Sequence, residues 1–442
     1  MFKTETCQQS VDVKSKSAAS AIHYELVTTE AEFDQLKKPW NRLAIDNNLH
    51  VFQTFEWNRI WWKHFGSGGQ LRIFVLYNNT SVTAIAPLFL DHFYLMGKPV
   101  YSTLRMIGSW TFRTSNGALL GKKAYSDYLQ FLITPGYESA FYSGLMAYLR
   151  DESSADELRI DEMPESEVCY QHLMAFLERS EYRFIQEDDS SSPVMLPEND
   201  WETYLKSRKP KERNNIRRHL KKGIRGDKQR FQLQSLKQNE SAEPAIQNFI
   251  ELHQQQWIDR GMPGTFAEQT MYDFFTEIST HLHRKGWIEI HWAKPLRQRP
   301  GNVPIAYNII LSFRNKKYLY QRAMDTRSDQ YKQAPGNALL MVNLQQAIKA
   351  RYIFDFLRDE HEYKIRLSHR VFQNKRIHIQ NDTPLRATRQ YIAHNMAILT
   401  RRIHLERIRR KHIMKQSGFP KNILLYIRHL QGRLKSTKSE YV

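Results

Sequence analysis

The spacing of apolar positions changes character repeatedly between Tyr318 and Leu357, and each change marks an element. An aromatic, alternating run from Tyr318 to Ala323 reads as a strand and ends at an acid, Asp325. A polar loop then closes on Gln333-Ala334-Pro335-Gly336-Asn337-Ala338. From there Leu339, Leu340, Val342, Leu344, Ala347 and Ile348 recur at helical spacing, and a short apolar strand, Ile353 to Leu357, follows. Strand, glycine-containing turn and helix start together predict an anion site. The first amides of a helix lack intrahelical acceptors and point outward at the positive end of its dipole. Gly336 is expected to let the backbone approach a phosphate, and Pro335 to preset the turn.

The same reading extends along the chain. Phe55 to Phe65 is an aromatic-rich helix whose tryptophans are expected in the core. Leu71 to Tyr77 and Val82 to Leu90 alternate and are separated by Asn78-Asn79-Thr80, a hairpin signal. Asp188 to Pro193 reads as a polar break. Trp201 to Leu220 should be helical, with Pro210 interrupting or restarting the helix, and Ala245 to Trp257 is an amphipathic helix. Ile288 to Ala293, Val303 to Phe313 and Lys317 to Met324 read as successive strands, the last two joined by a turn at Arg314-Asn315-Lys316. The expected organisation is a disordered start (1–22), a first α/β unit (23–195), a second (196–380) and a tail of basic amphipathic helices (385–442).

Composition narrows the class. At 442 residues, 41% apolar and 12% aromatic, the chain suffices for two or three domains with sizeable cores. Cys7 and Cys169 cannot build a disulfide framework, which fits a reducing cytoplasm. The opening residues have no apolar core, so a secretory signal is not expected, and no stretch approaches the roughly 20 apolar residues of a spanning helix. The net charge of +19 is uneven. Lys206 to Arg230 carries 12 Lys and Arg against Glu212 and Asp227, and from Arg386 onward 14 stand against Glu406 and Glu440. Such patches attract phosphorylated ligands, RNA or anionic lipid; the plainer alternative is a solvated basic face. His281 with His283, and His361 with His369, lack a compact third ligand, so no metal is expected. There is no paired Cys/His zinc spacing and no RNP-like strand.

The Gln333-x-x-Gly336-x-Ala338 spacing resembles the segment that acyl-CoA N-acyltransferases place under the coenzyme pyrophosphate. With Phe55-Glu56-Trp57, Trp61-Trp62, Tyr204-Leu205 followed by Arg213 to Leu220, Phe249 to Trp257, and Asp355-Phe356-Leu357-Arg358 before Tyr363-Lys364, the chain resembles GNAT-related acetyltransferases of the cellulose- or exopolysaccharide-biosynthesis type, relatives of the Fem aminoacyltransferases. The resemblance covers roughly 50 to 370 and implies an α/β (α+β) fold of tandem GNAT-like units, the second binding the coenzyme. One position departs: the family's usual glycine after the Asp-Phe-Leu-Arg string is Asp359 here, where a side chain would narrow the site or add negative charge.

N-acyl transfer from a thioester needs a deprotonated amine, a polarised carbonyl and a leaving thiolate, with no covalent nucleophile. Asp325, at the end of a strand facing the turn, is the candidate base or amine-orienting group; its alternative is to cap its own turn. By the resemblance, Lys364 supplies a cation near the tetrahedral intermediate, and Tyr363 protonates the thiolate or packs on the helix. Gln333, Pro335, Gly336, Asn337 and Ala338 are the coenzyme-binding candidates. Asp355, costly inside an apolar strand, is expected to hold Arg358 or Lys364. Arg213, Arg217 and Arg218 lie close to one helical face that would grip coenzyme or substrate phosphate or stand solvated, and Trp257, beside His253, would line an acceptor pocket or pack in the core. The expected activity is transfer of an acyl group, acetyl first among candidates, from acyl-CoA to a small-molecule amine such as an amino sugar or a surface-polysaccharide precursor. Two alternatives stand beside it: an aminoacyl-tRNA-dependent transferase, for which tRNA would be the nucleic-acid partner, and a non-catalytic scaffold docking to anionic membrane or RNA. A cytoplasmic location is expected, with peripheral contact to the inner face of the membrane through the basic tail.

Overall fold

A computed structural model describes residues 22–95, 98–109, 126–223, 226–296, 303–381, 385–386, 388–392 and 395–396. The expected disorder of the first residues and nearly all of the basic tail lie outside the described residues.

The first half opens with β1 (Ile22–Val27), α1 (Glu30–Gln35), α2 (Lys37–Asp46) and α3 (Phe55–Phe65). Thr54 starts α3 by accepting from the Trp57 amide, and Gly66 ends it. Strands β2 (Gln70–Leu71), β3 (Ile73–Asn78), β4 (Ser81–Ala86), β5 (Leu88–Leu95) and β6 (Lys98–Met106) follow, then β7 (Leu132–Ile133), α4 (Glu138–Asp151), β8 (Glu157–Pro164), α5 (Val168–Glu178) and β9 (Phe184–Met195). The hairpin at Asn79 has the left-handed residue such a turn requires, with φ 53°.

The second half contains α6 (Trp201–Lys206), α7 (Pro210–Gly223), β10 (Phe231–Ser235), α8 (Glu243–Asp259), α9 (Gln269–Arg284), β11 (Ile288–Pro295), β12 (Ala306–Phe313), β13 (Lys316–Met324), α10 (Pro335–Lys349), β14 (Ile353–Asp355), α11 (Glu362–Leu367) and β15 (Arg370–Gln380). Pro210 restarts the helix, as a proline at a first helical position can.

A four-stranded sheet, β1-β3-β4-β7, packs beside an eleven-stranded one in the order β10-β11-β12-β13-β14-β9-β15-β8-β6-β5-β2. The long sheet runs without a break through both halves, so the α/β class carries a tandem arrangement on one continuous backbone ladder. Each half repeats one device, a strand joined through a helix to a parallel neighbour: β6–α4–β8 and β13–α10–β14. β15, expected with the second unit, inserts between β9 and β8. The polar stretch 188–193 is not a break but the middle of β9. Its polar side chains are satisfied across the ladder by β15: Asp188 by Lys375 at 2.7 Å, Asp189 by Arg376, and Ser190 and Ser192 by Asn374.

The core is divided by the sheet. α8 and α9 cover one face of the second half over Ile288, Ile290, Tyr307, Ile309 and Tyr318. On the other face α10 and α7 bury Leu340, Leu344, Ile348, Ile216 and Leu220 against Ile310 and Leu319. The tryptophans of α3 are core residues: Trp57 and Trp61 are wholly buried and join the α9 side of this core through Phe274.

Candidate active site

β13 and β14 run parallel for only three pairs, Lys316↔Ile353, Lys317↔Phe354 and Tyr318↔Asp355. Beyond that point β13 continues to Met324, while the chain after β14 turns aside through left-handed Leu357 (φ 55°) and Asp359 (φ 81°). The outer neighbour of β14 is β9, so β13 between Leu319 and Met324 has no strand partner on this side among the described residues. A wedge therefore opens with its apex at Tyr318 and Asp355. On its other side β13 slips register against β12 between Ile309 and Ile310, leaving Tyr320 as the extra residue. Such a bulge re-aims a side chain beside a cleft.

The α10 start lies beyond the open end of β13. Ala334 is left-handed (φ 55°, ψ 60°) and Pro335 is the first helical residue. The local amides are more occupied than the motif alone suggests. Gln333 and Ala334 donate to Gln330 and Tyr331 carbonyls, and Asn337 and Ala338 both donate to the Ala334 carbonyl, which the left-handed turn swings over the helix end. Gly336 alone among the turn amides from Gln333 to Ala338 has no acceptor among the described residues. Its side-chain-free face is filled from β13: a Cβ there would stand 2.5 Å from Met324 Sδ and 3.0 Å from an Arg322 nitrogen. Glycine is needed at this point for β13 to approach the helix start, not for an empty cradle. Anion-binding capacity passes to side chains that the sequence reading did not single out. Lys222, at the end of α7, donates from Nζ to the Gln333 carbonyl at 2.8 Å. Arg322 reaches Asn337 Oδ1 at 3.4 Å and lies over the Tyr363 ring at 5.1 Å. The sequence signal for Lys222 is the basic run from Lys206 to Arg230 itself.

A small open depression of ≈ 120 Å³ extends from this turn between α7, α10 and α11, lined among others by Ile216, His219, Asn337, Leu340, Met341 and Tyr363. Tyr363 thus sits where turn, β13 and depression meet. Lys364 is buried, and its Nζ donates to the carbonyls of Arg358 at 2.5 Å and Leu357 at 3.4 Å. Its ammonium holds the loop that leaves the wedge apex. Asp325 takes the turn role: its Oδ1 accepts from the Arg327 amide at 2.9 Å. Arg213 is half-buried on α7, whereas Arg217 pairs with Glu202 of α6 at 3.1 Å and does not line the depression. Trp257 donates from Nε1 to His253 Nε2 at 3.0 Å, and burial pushes the His253 imidazole down to about 4. Asp355 does not hold Arg358 or Lys364. Its Oδ1 accepts from the Leu357 amide and its Oδ2 from the Tyr128 hydroxyl, both at 2.7 Å.

The partner of Asp355 comes from the first half, and it is one of several. Ser126, Asp127 and Tyr128 form a segment anchored on α3 by Trp57 Nε1 to Ser126 Oγ at 2.7 Å, and on the turn before α3 by Gln53 to the Tyr128 carbonyl. Arg358 grips this segment through Asp127 (2.6 Å) and the Ser126 carbonyl (2.6 Å), and reaches Glu162 at 2.8 Å. His50 Nδ1 lies 3.0 Å from Tyr318 Oη, and its Nε2 lies 3.2 Å from Glu167 Oε1. A carboxylate only accepts, so the neutral ring carries its proton on Nε2 and takes the Tyr318 hydroxyl proton's bond at Nδ1. Burial, with the charge of Lys316 nearby, pushes His50 down to about 4. Burial opposes ionisation of Glu167, yet its bond with His50 brings it down to about 2. Burial pushes the Asp355 carboxyl up to about 7 against the hydrogen bonds that favour its anion. Such contacts span more than 200 positions of sequence, and nothing in local spacing announced them. Among the described residues no group of three His, Cys, Asp or Glu is arranged to hold a metal ion, and no helix is long and apolar enough to cross a membrane.

The wedge between parallel strands, with a helix start at its open end, lies within the part of the chain that one family model matches. Residues 210–365 match the model of the family described as acetyltransferase (GNAT) domain. Among solved structures, FemX superposes with a TM-score of 0.54 at 12% identity, covering 83% of this chain and 99% of that one, a likeness of fold. L-PGS from Bacillus licheniformis (TM-score 0.45, 9% identity, covering 82% of this chain and 97% of that one) and a tandem GNAT protein from the clavulanic acid biosynthesis pathway (0.41, 11%, covering 81% and 99%) are more distant. No curated protein matches in sequence.

Proposed function

We propose that this protein transfers an acyl group, acetyl first among candidates, from acyl-CoA to the nitrogen of a small-molecule amine such as an amino sugar or a surface-polysaccharide precursor. The observation that carries the reading is the opening of β13 from β14 beyond Tyr318 and Asp355, with the acid-free start of α10, Lys222 and Arg322 at its mouth. The donor's diphosphate would lie against the Gly336 amide and those two cations, with Gln333, Pro335, Asn337 and Ala338 shaping the turn. A thioester laid into the wedge would place its carbonyl near the loop held by Lys364. That ammonium would stabilise the oxyanion by its charge while its bonds to the Leu357 and Arg358 carbonyls keep the loop in place. Tyr363 would serve the leaving thiolate, and Asp325 would orient the amine by fixing the turn it caps. Arg213 and Trp257 remain candidates for contacts to the acceptor. A cytoplasmic location, with the basic tail against the inner membrane face, belongs to the same proposal.

One observation favours a second reading. α7 exposes Lys211, Arg217, Arg218 and Lys221, a surface that would also suit the phosphates of a charged tRNA. Purified protein assayed against a panel of acyl-CoAs and amines, with thiol release as readout, tests the first reading. No release with any donor, together with activity in a lysate that RNase abolishes, would replace it with the second.

A further inference from the structure

The wedge apex is built from both halves of the chain, and its chemistry comes from contacts that neither half makes alone. Tyr318 and Asp355 are the last paired residues before the strands part. From the first half Tyr128 bonds Asp355 Oδ2 at 2.7 Å, and His50, backed by Glu167, bonds Tyr318. Backbone strain converges here: Tyr128 (φ 58°), Glu162 (φ 53°), Leu357 (φ 55°) and Asp359 (φ 81°) are all left-handed without being glycine. Strained non-glycine residues persist where surrounding structure over-determines them, and they gather at functional sites. Asp355 uses one lone pair of each oxygen on Tyr128 and Leu357, so it retains acceptor capacity.

We infer that Asp355 is the proton acceptor of the transfer, with Tyr128 of the first half as its positioning residue. The inference rests on the acyl-CoA reading above. The amine nitrogen forms the C–N bond to the thioester carbonyl carbon, the C–S bond breaks, the proton leaving nitrogen passes to the Asp355 carboxylate, and the departing thiolate takes the Tyr363 hydroxyl proton, which solvent restores as Asp355 releases its own. The groups facing Asp355 are consistent with that task. Tyr128 and the Leu357 amide bond it, Lys316 favours its anion, Asp127 opposes it, and Tyr318 lies across the pair. Arg358 holds Asp127 at 2.6 Å and so mutes the opposing charge. Burial places the Asp355 carboxyl at about 7, where a base can both accept and release a proton. His50 and Glu167 keep Tyr318 in place behind it.

The test uses the full chain as wild type, Asp355→Asn and Tyr128→Phe. Infrared difference spectra titrate the buried carboxyl with no donor or acceptor present. Wild type minus Asp355→Asn should show a carboxyl titrating near neutrality, and Tyr128→Phe, which removes a bond to the anion, should move it upward. In turnover, Asp355→Asn should lose about 100-fold or more in kcat, with the acetyl-CoA Kd little changed by calorimetry. Tyr128→Phe should shift the acid limb of the kcat profile to higher pH and recover most activity on the alkaline side. Wild-type rates in Asp355→Asn, or an inflection that Tyr128→Phe leaves unmoved, would overturn the assignment, as would absence of a neutral-range carboxyl in the infrared titration. If Asp355→Asn does not fold, Tyr128→Phe carries the test by both readouts. Failure of wild type to bind acetyl-CoA strikes the donor reading instead, and the calorimetry registers it separately.

Discussion

The two parallel strand pairs of this molecule share a topology and differ in what stands at their helix starts. In the first half β6 and β8 pair over Thr103↔Glu157, Leu104↔Leu158 and Arg105↔Arg159, and α4 connects them. The start of α4 is closed to anions by its own sequence: Glu138 sits in its first turn and accepts from the Gly136 amide at 2.7 Å. Where the second half opens, the first is bolted by buried charge. Arg105 pairs with Asp91 at 3.2 Å, and Asp161 takes Arg159 and Arg376 at 2.8 Å each. The start of α10 has no acid in its first turn and is approached by Lys222 and Arg322. The same crossover thus braces one half and opens a cleft in the other, and a few side chains decide which.

The sharpest way to break this contrast is Lys364→Ala. It should lower kcat by about 100-fold or more while the acetyl-CoA Kd, by calorimetry, stays within a few-fold. Loss of the cooperative thermal transition instead would make the ammonium structural only. Next, Lys222→Ala and Arg322→Ala should each weaken acetyl-CoA binding about tenfold, the scale of a charge-assisted bond to phosphate. Arg217→Ala, on the far side of α7 against Glu202, should leave it unchanged.

A third prediction concerns stability. Asp355 lies at about 7 in the folded protein against an ordinary 3.8. Between those values the folded chain keeps a proton that the unfolded chain has released. Stability from this group is therefore full below pH 4 and is lost as pH rises through 7, by at most about 1.4 kcal/mol per unit. Urea midpoints should fall from about pH 4 to about pH 7 in wild type and level off above, and the fall should shrink in Asp355→Asn. The smallest effect belongs to Asp359. The position keeps the left-handed backbone of the glycine it replaces in the resemblance, φ 81°, so Asp359→Gly should raise stability by about 0.5–1 kcal/mol in urea unfolding.

What was legible in the chain is what local periodicity encodes. Phe55 to Phe65, the hairpin between β12 and β13, and the α10 start all follow from spacing, caps and turn residues within a dozen positions. The polar side chains of Asp188 to Ser192 misled because their partners, Asn374, Lys375 and Arg376, lie some 180 residues away on β15. The candidate site divides the same way. The turn and Tyr363 were readable from the motif. The Tyr128–Asp355 and His50–Tyr318 contacts were not, because they exist only once the two halves share a sheet. Asp325 shows the limit of position alone: it ends the right strand, but its carboxylate is spent on its own turn.

The central claim, that the α10 start with Lys222 and Arg322 holds a donor's diphosphate, is tested most directly by calorimetric titration of the wild-type protein with acetyl-CoA and with acetyl-pantetheine, which lacks that diphosphate. The account predicts saturable binding of acetyl-CoA and at least about tenfold weaker binding of acetyl-pantetheine. Equal affinities for the two, or no heat with acetyl-CoA at millimolar concentration, would contradict it.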